Sequence, residues 1–221
     1  MTTWSFSRLK SFETCPKQFY HVTVLNEYPV VQTDAMAYGT ALHKAAEDYV
    51  GENKQLPNEF MYVKGVLDEL LDIRGTKLTE QRLGLTRDLK PCGFKDKDVW
   101  FRGIVDLAIV DTLGERAWIV DYKTGKSTKY ADKGQLELMA LSIFKKFPDI
   151  KHINAALLFV VANEMIEAEY KIESSFDLWG KWLKKYARME KAYETDVWNP
   201  RPSGLCYHHC PVLECVHNGR N

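Results

Sequence analysis

The chain of 221 residues is 45% hydrophobic and carries 30 basic against 30 acidic side chains. That is enough apolar material for one substantial core over residues 1–221. It leaves no global field that would draw the protein onto nucleic acid, so a polyanion must be met by a local patch. No stretch reaches the ~20 apolar residues of a membrane span and no export signal opens the chain, which points to a soluble, cytoplasmic protein.

Residues 5–12, Ser-Phe-Ser-Arg-Leu-Lys-Ser-Phe, combine a serine cap with apolar positions at helical spacing. They predict a short helix from near Ser7 that ends before Pro16 and carries Cys15 at its end. Residues 39–50 read as a second helix starting at Gly39. His43 lies near its start, and Glu47, four residues on, shares its face and can orient the imidazole. Residues 60–73 are amphipathic with a 3.6-residue period and read as scaffold. Residues 79–85 predict a strand, and Cys92 falls in a loop between Pro91 and Gly93.

Residues 100–110 and 117–123 are rich in β-branched and aromatic side chains, and Asp-Thr-Leu-Gly-Glu at 111–115 supplies turn chemistry. A hairpin closed by Asp111 opposite Arg116 brings Asp106 opposite Asp121, with facing Cβ atoms ~4.5–5.5 Å apart. Asp121 and Lys123 share a face by alternation, and Asp106 joins them in this register. Two carboxylates so close on apolar strands repel each other and resist desolvation unless a cation neutralises them or one is protonated. A hard, oxygen-seeking ion such as Mg²⁺ or Mn²⁺ is the simplest remedy.

The loop beyond holds Lys126 and Lys129, with Lys133 following, a set suited to a phosphate backbone beside an acidic site. Asp132 caps a helix over 133–144 that feeds a strand over 154–161, so a crossover adds a parallel neighbour to the hairpin. A further strand spans 165–172. A helix over 176–193 sets Trp179, Trp182, Leu183 and Tyr186 on one side and Lys181, Lys184, Lys185, Arg188 and Lys191 on the other. Cys206, Cys210 and Cys215 then fall within ten residues. Five cysteines, an odd number without an export signal, argue for metal ligation or free thiols over disulfides.

Gly103-Ile104-Val105-Asp106 with Asp121-Tyr122-Lys123-Thr124-Gly125 resembles the GxxD and (D/E)xK motifs of the PD-(D/E)xK nucleases, nearest to their RecB-type exonuclease branch. The resemblance extends to the Ser-rich opening with its Cys15-Pro16 pair and to His43 in a Gly-x-x-x-His helix. It includes Gln135 of a QxxxY motif in which Met139 replaces the tyrosine, and Glu80 on the strand before the hairpin, where related nucleases often place an accessory glutamate. It implies a restriction-endonuclease-like α/β core, a mixed β-sheet flanked by helices, with helical and cysteine-rich additions at both ends. The implied activity is metal-dependent hydrolysis of DNA, with removal of nucleotides from an end as first choice. His43, Asp106, Asp121 and the Tyr122 carbonyl would hold Mg²⁺ or Mn²⁺, with Lys123 and Gln135 completing the catalytic set. Lys126, Lys129 and Lys133 would contact DNA. A recombination or single-strand-annealing protein is an expected partner.

The terminal cysteines resemble those of iron-sulfur nucleases of the same type, including the CRISPR-adaptation ones. Cys15, Cys206, Cys210 and Cys215 would then hold a [4Fe-4S] cluster, although three residues rather than two separate Cys206 from Cys210. Zn²⁺ is the alternative, with His208, His209 and His217 at hand. Two readings from other classes stand beside the nuclease: an inactive DNA-binding module and a zinc-stabilised interaction protein.

Overall fold

The computed structural model describes residues 2–220. They form two compact units, one of Gln32–Trp179 and one of Thr2–Val31 with the chain from Gly180 onward.

The first unit is built on strands β1 (Thr76–Leu85), β2 (Pro91–Cys92), β3 (Phe101–Asp111), β4 (Arg116–Lys123), β5 (His152–Phe159) and β6 (Glu164–Lys171). They form one mixed sheet in the order β2-β1-β3-β4-β5-β6. Neighbours run antiparallel except β4 and β5, whose parallel pairing is made by a crossover through helix α5 (Gly134–Lys146). The hairpin closes as its turn residues predict, with Asp111 opposite Arg116, and the ladder runs on to Leu107 opposite Val120. Cys92 pairs with Gly84 in the short β2 instead of lying in a loop.

Alternation along β4 sends its side chains into two cores. Ala117 and Ile119 pack with Leu136, Ala140 and Ile143 of α5. Val120 and Tyr122 pack on the opposite face with Leu42 and Ala46 of a long helix (Asp34–Glu52) and with Leu67 of a shorter one (Lys64–Asp72). Burying each such large apolar side chain stabilises the fold by about 1.5–3 kcal/mol.

The alternation slips at one place. Leu107 and Ile109 belong to the second core, Ala108 and Val110 to the first, so a regular strand would have carried Val105 into the second core. Val105 lies in the first. Directly across, Thr79 pairs with Leu107 and Gln81 with Val105, while Glu80 and Asp106 between them make no pair. Glu80 has φ of 45°, a left-handed backbone that costs an L-residue roughly 1–2 kcal/mol.

The Asp34–Glu52 helix begins five residues earlier than its sequence suggests, because Thr33 Oγ1 accepts the Met36 amide at 3.3 Å. Gly39 therefore lies inside it. A Cβ there would stand 3.3 Å from Thr124 Oγ1, so the glycine serves a close approach and not a helix start. Of residues 60–73, only Lys64–Asp72 are α-helical, and Asn58–Val63 form a 3₁₀ turn. Numbered in chain order with the helices of the second unit, the long helix is α3 and the shorter one α4.

The second unit contains α1 (Phe6–Thr14), α2 (Pro16–Phe19), a π-helical stretch (Tyr20–Val24) and α7 (Leu205–His208). Helix α6 (Ser175–Thr195) enters it from Gly180 onward. Ser5 Oγ accepts the Arg8 amide and so starts α1. Trp4, Leu9, Phe12, Phe19, Trp182 and Met189 are buried there, and Trp198 stacks on Tyr20 with ring centroids 5.0 Å apart. No helix among the described residues is long and apolar enough to cross a membrane.

Candidate functional site

The site lies in the first unit, where β4 leaves the hairpin ladder. Asp121 is 2% exposed. Its Oδ1 accepts a hydrogen bond from Gln135 Nε2 of α5 at 2.6 Å. The oxygen of the same amide accepts from Lys123 Nζ at 3.1 Å. Lys123 also forms an ion pair with Asp121 Oδ2, which receives no aligned hydrogen bond. Burial, with Asp106 adding to it, pushes the Asp121 carboxyl up to about 6 against the pull of Lys123.

On the other side of β4, His43 of α3 donates from Nε2 to the Tyr122 carbonyl at 3.0 Å. Its Nδ1 lies 3.3 Å from Asp106 Oδ2. Asp106 Oδ2 also accepts the Tyr122 amide at 2.8 Å, so where the ladder stops a side chain takes over the role of a strand partner. The bond to Asp106 raises the His43 pKa against the opposing effect of burial. Glu80 completes this half: ligand atoms of His43, Glu80 and Asp106 lie within 4.8 Å of one another. Burial and the neighbouring Asp106 raise the Glu80 carboxyl. Its left-handed backbone, opposite the slipped Asp106, is strain of the kind that gathers at functional sites. Glu47 does not orient the imidazole. Its carboxylate pairs with Lys44 at 3.0 Å.

Carboxylates from three strands, an imidazole, a backbone carbonyl and a lysine thus converge on one end of β4. The PD-(D/E)XK nuclease superfamily profile matches residues 3–215. The chain belongs to the PD-(D/E)XK nuclease superfamily. Two solved structures share the fold. One is a Eubacterium rectale protein to which exonuclease activity is ascribed: TM-score 0.57, 9% identity, 97% of this chain and 89% of that one covered. The other is SSO0001: TM-score 0.52, 14% identity, 99% and 88% covered. A search among curated proteins returns no match.

In this superfamily member the lysines beyond β4 differ in what they touch. Lys126 and Lys129 are exposed, and Lys129 Nζ sits 5.3 Å from the centre of the Tyr130 ring. Lys133 Nζ instead donates to the Glu167 carbonyl at 2.7 Å, which draws it towards β6. On α6, Lys181, Lys184, Arg188 and Lys191 are exposed as expected. Lys185 pairs with Glu13 at 2.9 Å, and Leu183, expected on the buried side, is 38% exposed.

Within the second unit, Cys15, Cys206, Cys210 and Cys215 line one small pocket together with His217. The Arg201 amide donates to Cys15 Sγ and the Ser203 amide to Cys206 Sγ, both at 3.4 Å. Burial pushes the Cys210 thiol up, and the other three cysteines add to the shift. His208 and His209 are exposed and are not part of the lining. Cys92 lies elsewhere, grouped with Asp96 and Asp98. A nearby cluster had no sequence signal, because its members are far apart in the chain. His21 Nδ1 meets Glu27 at 2.6 Å and Glu214 at 3.2 Å, and Tyr28 donates to Glu214 at 2.6 Å.

Proposed function

We propose that this nuclease is a divalent-metal-dependent deoxyribonuclease that removes nucleotides from DNA ends. The observation that carries the reading is the convergence of His43, Glu80, Asp106 and the Tyr122 carbonyl on one side of β4 with Asp121, Lys123 and Gln135 on the other. The donor set is three carboxylates, one carbonyl and one imidazole, and Asp121 Oδ2 is buried without an aligned hydrogen bond. That set fits Mg²⁺ or Mn²⁺ far better than a thiophilic ion. His43, Asp106, Asp121 and the Tyr122 carbonyl would hold the ion, with Glu80 in support. When bound, such an ion polarises the phosphate and lowers the pKa of coordinated water.

The chain's own residues supply the rest. Lys123 Nζ, held by Gln135 and Asp121, positions the attacking water and offsets the negative charge that grows on the phosphoryl oxygens. Gln135 hydrogen-bonds both partners and so fixes their relative geometry. Lys126 and Lys129 hold the phosphate backbone of the strand being cut.

The four thiols of the second unit are the proposed ligands of a [4Fe-4S] cluster. Backbone N–H···S bonds to Cys15 and Cys206 support this, as does the position of two of the three histidines outside the pocket. Zn²⁺ is the alternative ion. A recombination or single-strand-annealing protein remains the proposed functional partner.

The test is to incubate purified protein with end-labelled linear DNA and with closed circular DNA, in Mg²⁺, Mn²⁺ or EDTA. Mononucleotide release from linear DNA only, abolished by EDTA and reduced at least a hundredfold in Lys123→Ala, is expected. Binding without cleavage under every condition would make the protein an inactive DNA-binding module.

A further inference from the structure

One face of the sheet is only partly covered. A helix is about 10 Å across and strands lie ~4.8 Å apart, so one helix covers about two strands. On the α3 side, α3 packs on β1 and β3, and α4 faces β4 through Val66 and Leu70. No described helix follows over β5 and β6. Instead a groove of about 670 Å³ runs between α4 and β6. On the opposite face the same two strands are covered: Ala155 and Leu157 of β5, with Ile166 and Ala168 of β6, join the α5 core.

The floor of the groove is apolar, with Trp118, Val120, Ala156 and Leu158, and Met165 beside it is 54% exposed. Its rim is acidic. Glu69 on α4 stands on one side, Glu164, Glu167 and Glu169 on the other, and no lysine, arginine or histidine lines it. Along β6, Met165, Glu167 and Glu169 alternate with Ile166, Ala168 and Tyr170, so the two glutamates are set on the groove face by strand geometry. Such a rim repels nucleic acid. An isologous dimer through this face would set the glutamate row against its own copy.

We infer that the groove between α4 and β6 is a docking site for an amphipathic helix of another protein, its apolar stripe seated on Trp118, Ala156 and Leu158 and its flanks rich in lysine and arginine. The occupant supplies the third helix this face of the sheet has room for, and its cations meet Glu69, Glu167 and Glu169 across the rim. Helix-in-groove recognition of this kind reads apolar anchors at i, i+3/i+4 and i+7. The inference is independent of the chemistry at Asp121 and Lys123.

The test uses full-length protein and two synthetic peptides of about four helical turns. Both carry leucine at the anchor spacing, one with lysines on its flanks and the other with glutamates. Fluorescence anisotropy should show the lysine peptide binding at least tenfold tighter than the glutamate peptide. Its affinity should fall at least tenfold in Glu167→Lys/Glu169→Lys and in Met165→Asp, variants whose fold is checked by circular dichroism. Equal binding of the two peptides, no binding of either, or binding untouched by the variants would overturn the inference. So would self-association in sedimentation velocity that Met165→Asp abolishes, because the groove would then belong to a second copy of the chain.

Discussion

Gln135 holds Asp121 at 2.6 Å through its amide nitrogen while its amide oxygen takes a hydrogen bond from Lys123 at 3.1 Å. The amide donates to the carboxylate from its nitrogen and accepts from the ammonium at its oxygen, a pairing that neither a carboxylate nor an ammonium in its place could make. A hydrogen bond to a charged group contributes about 1.5–3 kcal/mol, which corresponds to a factor of roughly ten to a hundred in rate. Gln135→Ala is expected to lose that much in single-turnover cleavage. Gln135→Glu should lose at least as much and move the acid limb of the pH-rate profile upward, since a further carboxylate against Asp121 disfavours its ionised form. Wild-type rates in both variants would remove Gln135 from the site.

The pH dependence follows from Asp121 and His43. The Asp121 carboxyl is raised to about 6 in the folded, metal-free protein by burial, so between its unfolded value near 4 and about 6 the native state binds more protons than the unfolded chain. Metal-free protein therefore loses stability as pH rises through that window. His43, also raised, contributes stability that is lost as pH rises past its folded value. Both groups must give up protons before they can ligate an ion. Metal affinity should fall as pH drops below about 6, and the stabilisation conferred by Mg²⁺ should be larger at pH 7.5 than at pH 5. Thermal melts at the two pH values, with and without Mg²⁺, check this. Asp121→Asn should flatten the slope of the metal-free protein between pH 4 and 6.

Glu80 separates backbone from side-chain effects. At φ of 45° glycine is free of the strain that alanine retains, so Glu80→Gly should be more stable than Glu80→Ala by about 1 kcal/mol. Both variants lack the carboxylate and should lose metal affinity to the same extent. Denaturant midpoints paired with calorimetric titration of Mn²⁺ test the two halves separately. Alanine equal to glycine in stability would show that the backbone there is relaxed.

DNA affinity should fall as salt rises, with each lost phosphate contact lowering the log-log slope by ~0.7–0.9. Lys126→Ala and Lys129→Ala are expected to reduce the slope. Lys133→Ala should reduce it less, because its ammonium is held on the Glu167 carbonyl. Three equal reductions would place Lys133 on the backbone with the others.

For the thiol pocket, serine at Cys15, Cys206, Cys210 or Cys215 should lower iron content and stability together, while Cys92→Ser should leave both unchanged. Anaerobically purified protein should be brown. Colourless protein with stoichiometric zinc would establish the alternative ion.

Much of the fold was legible because local chemistry and long-range register agree. The 111–115 turn residues fixed Asp111 against Arg116, and the pairing followed as far as Leu107 and Val120. The slip at Asp106 was not legible. Strict alternation put Asp106 beside Asp121 on one face, but the strand departs where Asp106 turns to the Tyr122 amide and His43. Neither the left-handed conformation of Glu80 nor the interior position of Gly39 leaves a trace in composition, since each is required by a neighbour distant in sequence. The cap at Thr33 is masked in the sequence because the alanine-rich run after Gly39 carries the stronger helical signal. Met139 at the expected tyrosine position is buried in the α5 core, so the structure gives it a packing role in place of a polar one.

The parallel pairing of β4 with β5 has a consequence for how the enzyme should fail. Past Val120 the β3 ladder has ended, but Asp121 and Lys123 remain paired with Leu157 and Phe159 of β5 and the Asp106 carboxylate takes the Tyr122 amide, so their backbone does not fray away from the sheet as an edge strand's can. Amide hydrogens of β4 should exchange only through the largest opening reactions of the first unit. Heat should then inactivate and unfold that unit in a single step, without an earlier phase in which the fold survives and the carboxylates have already drifted apart.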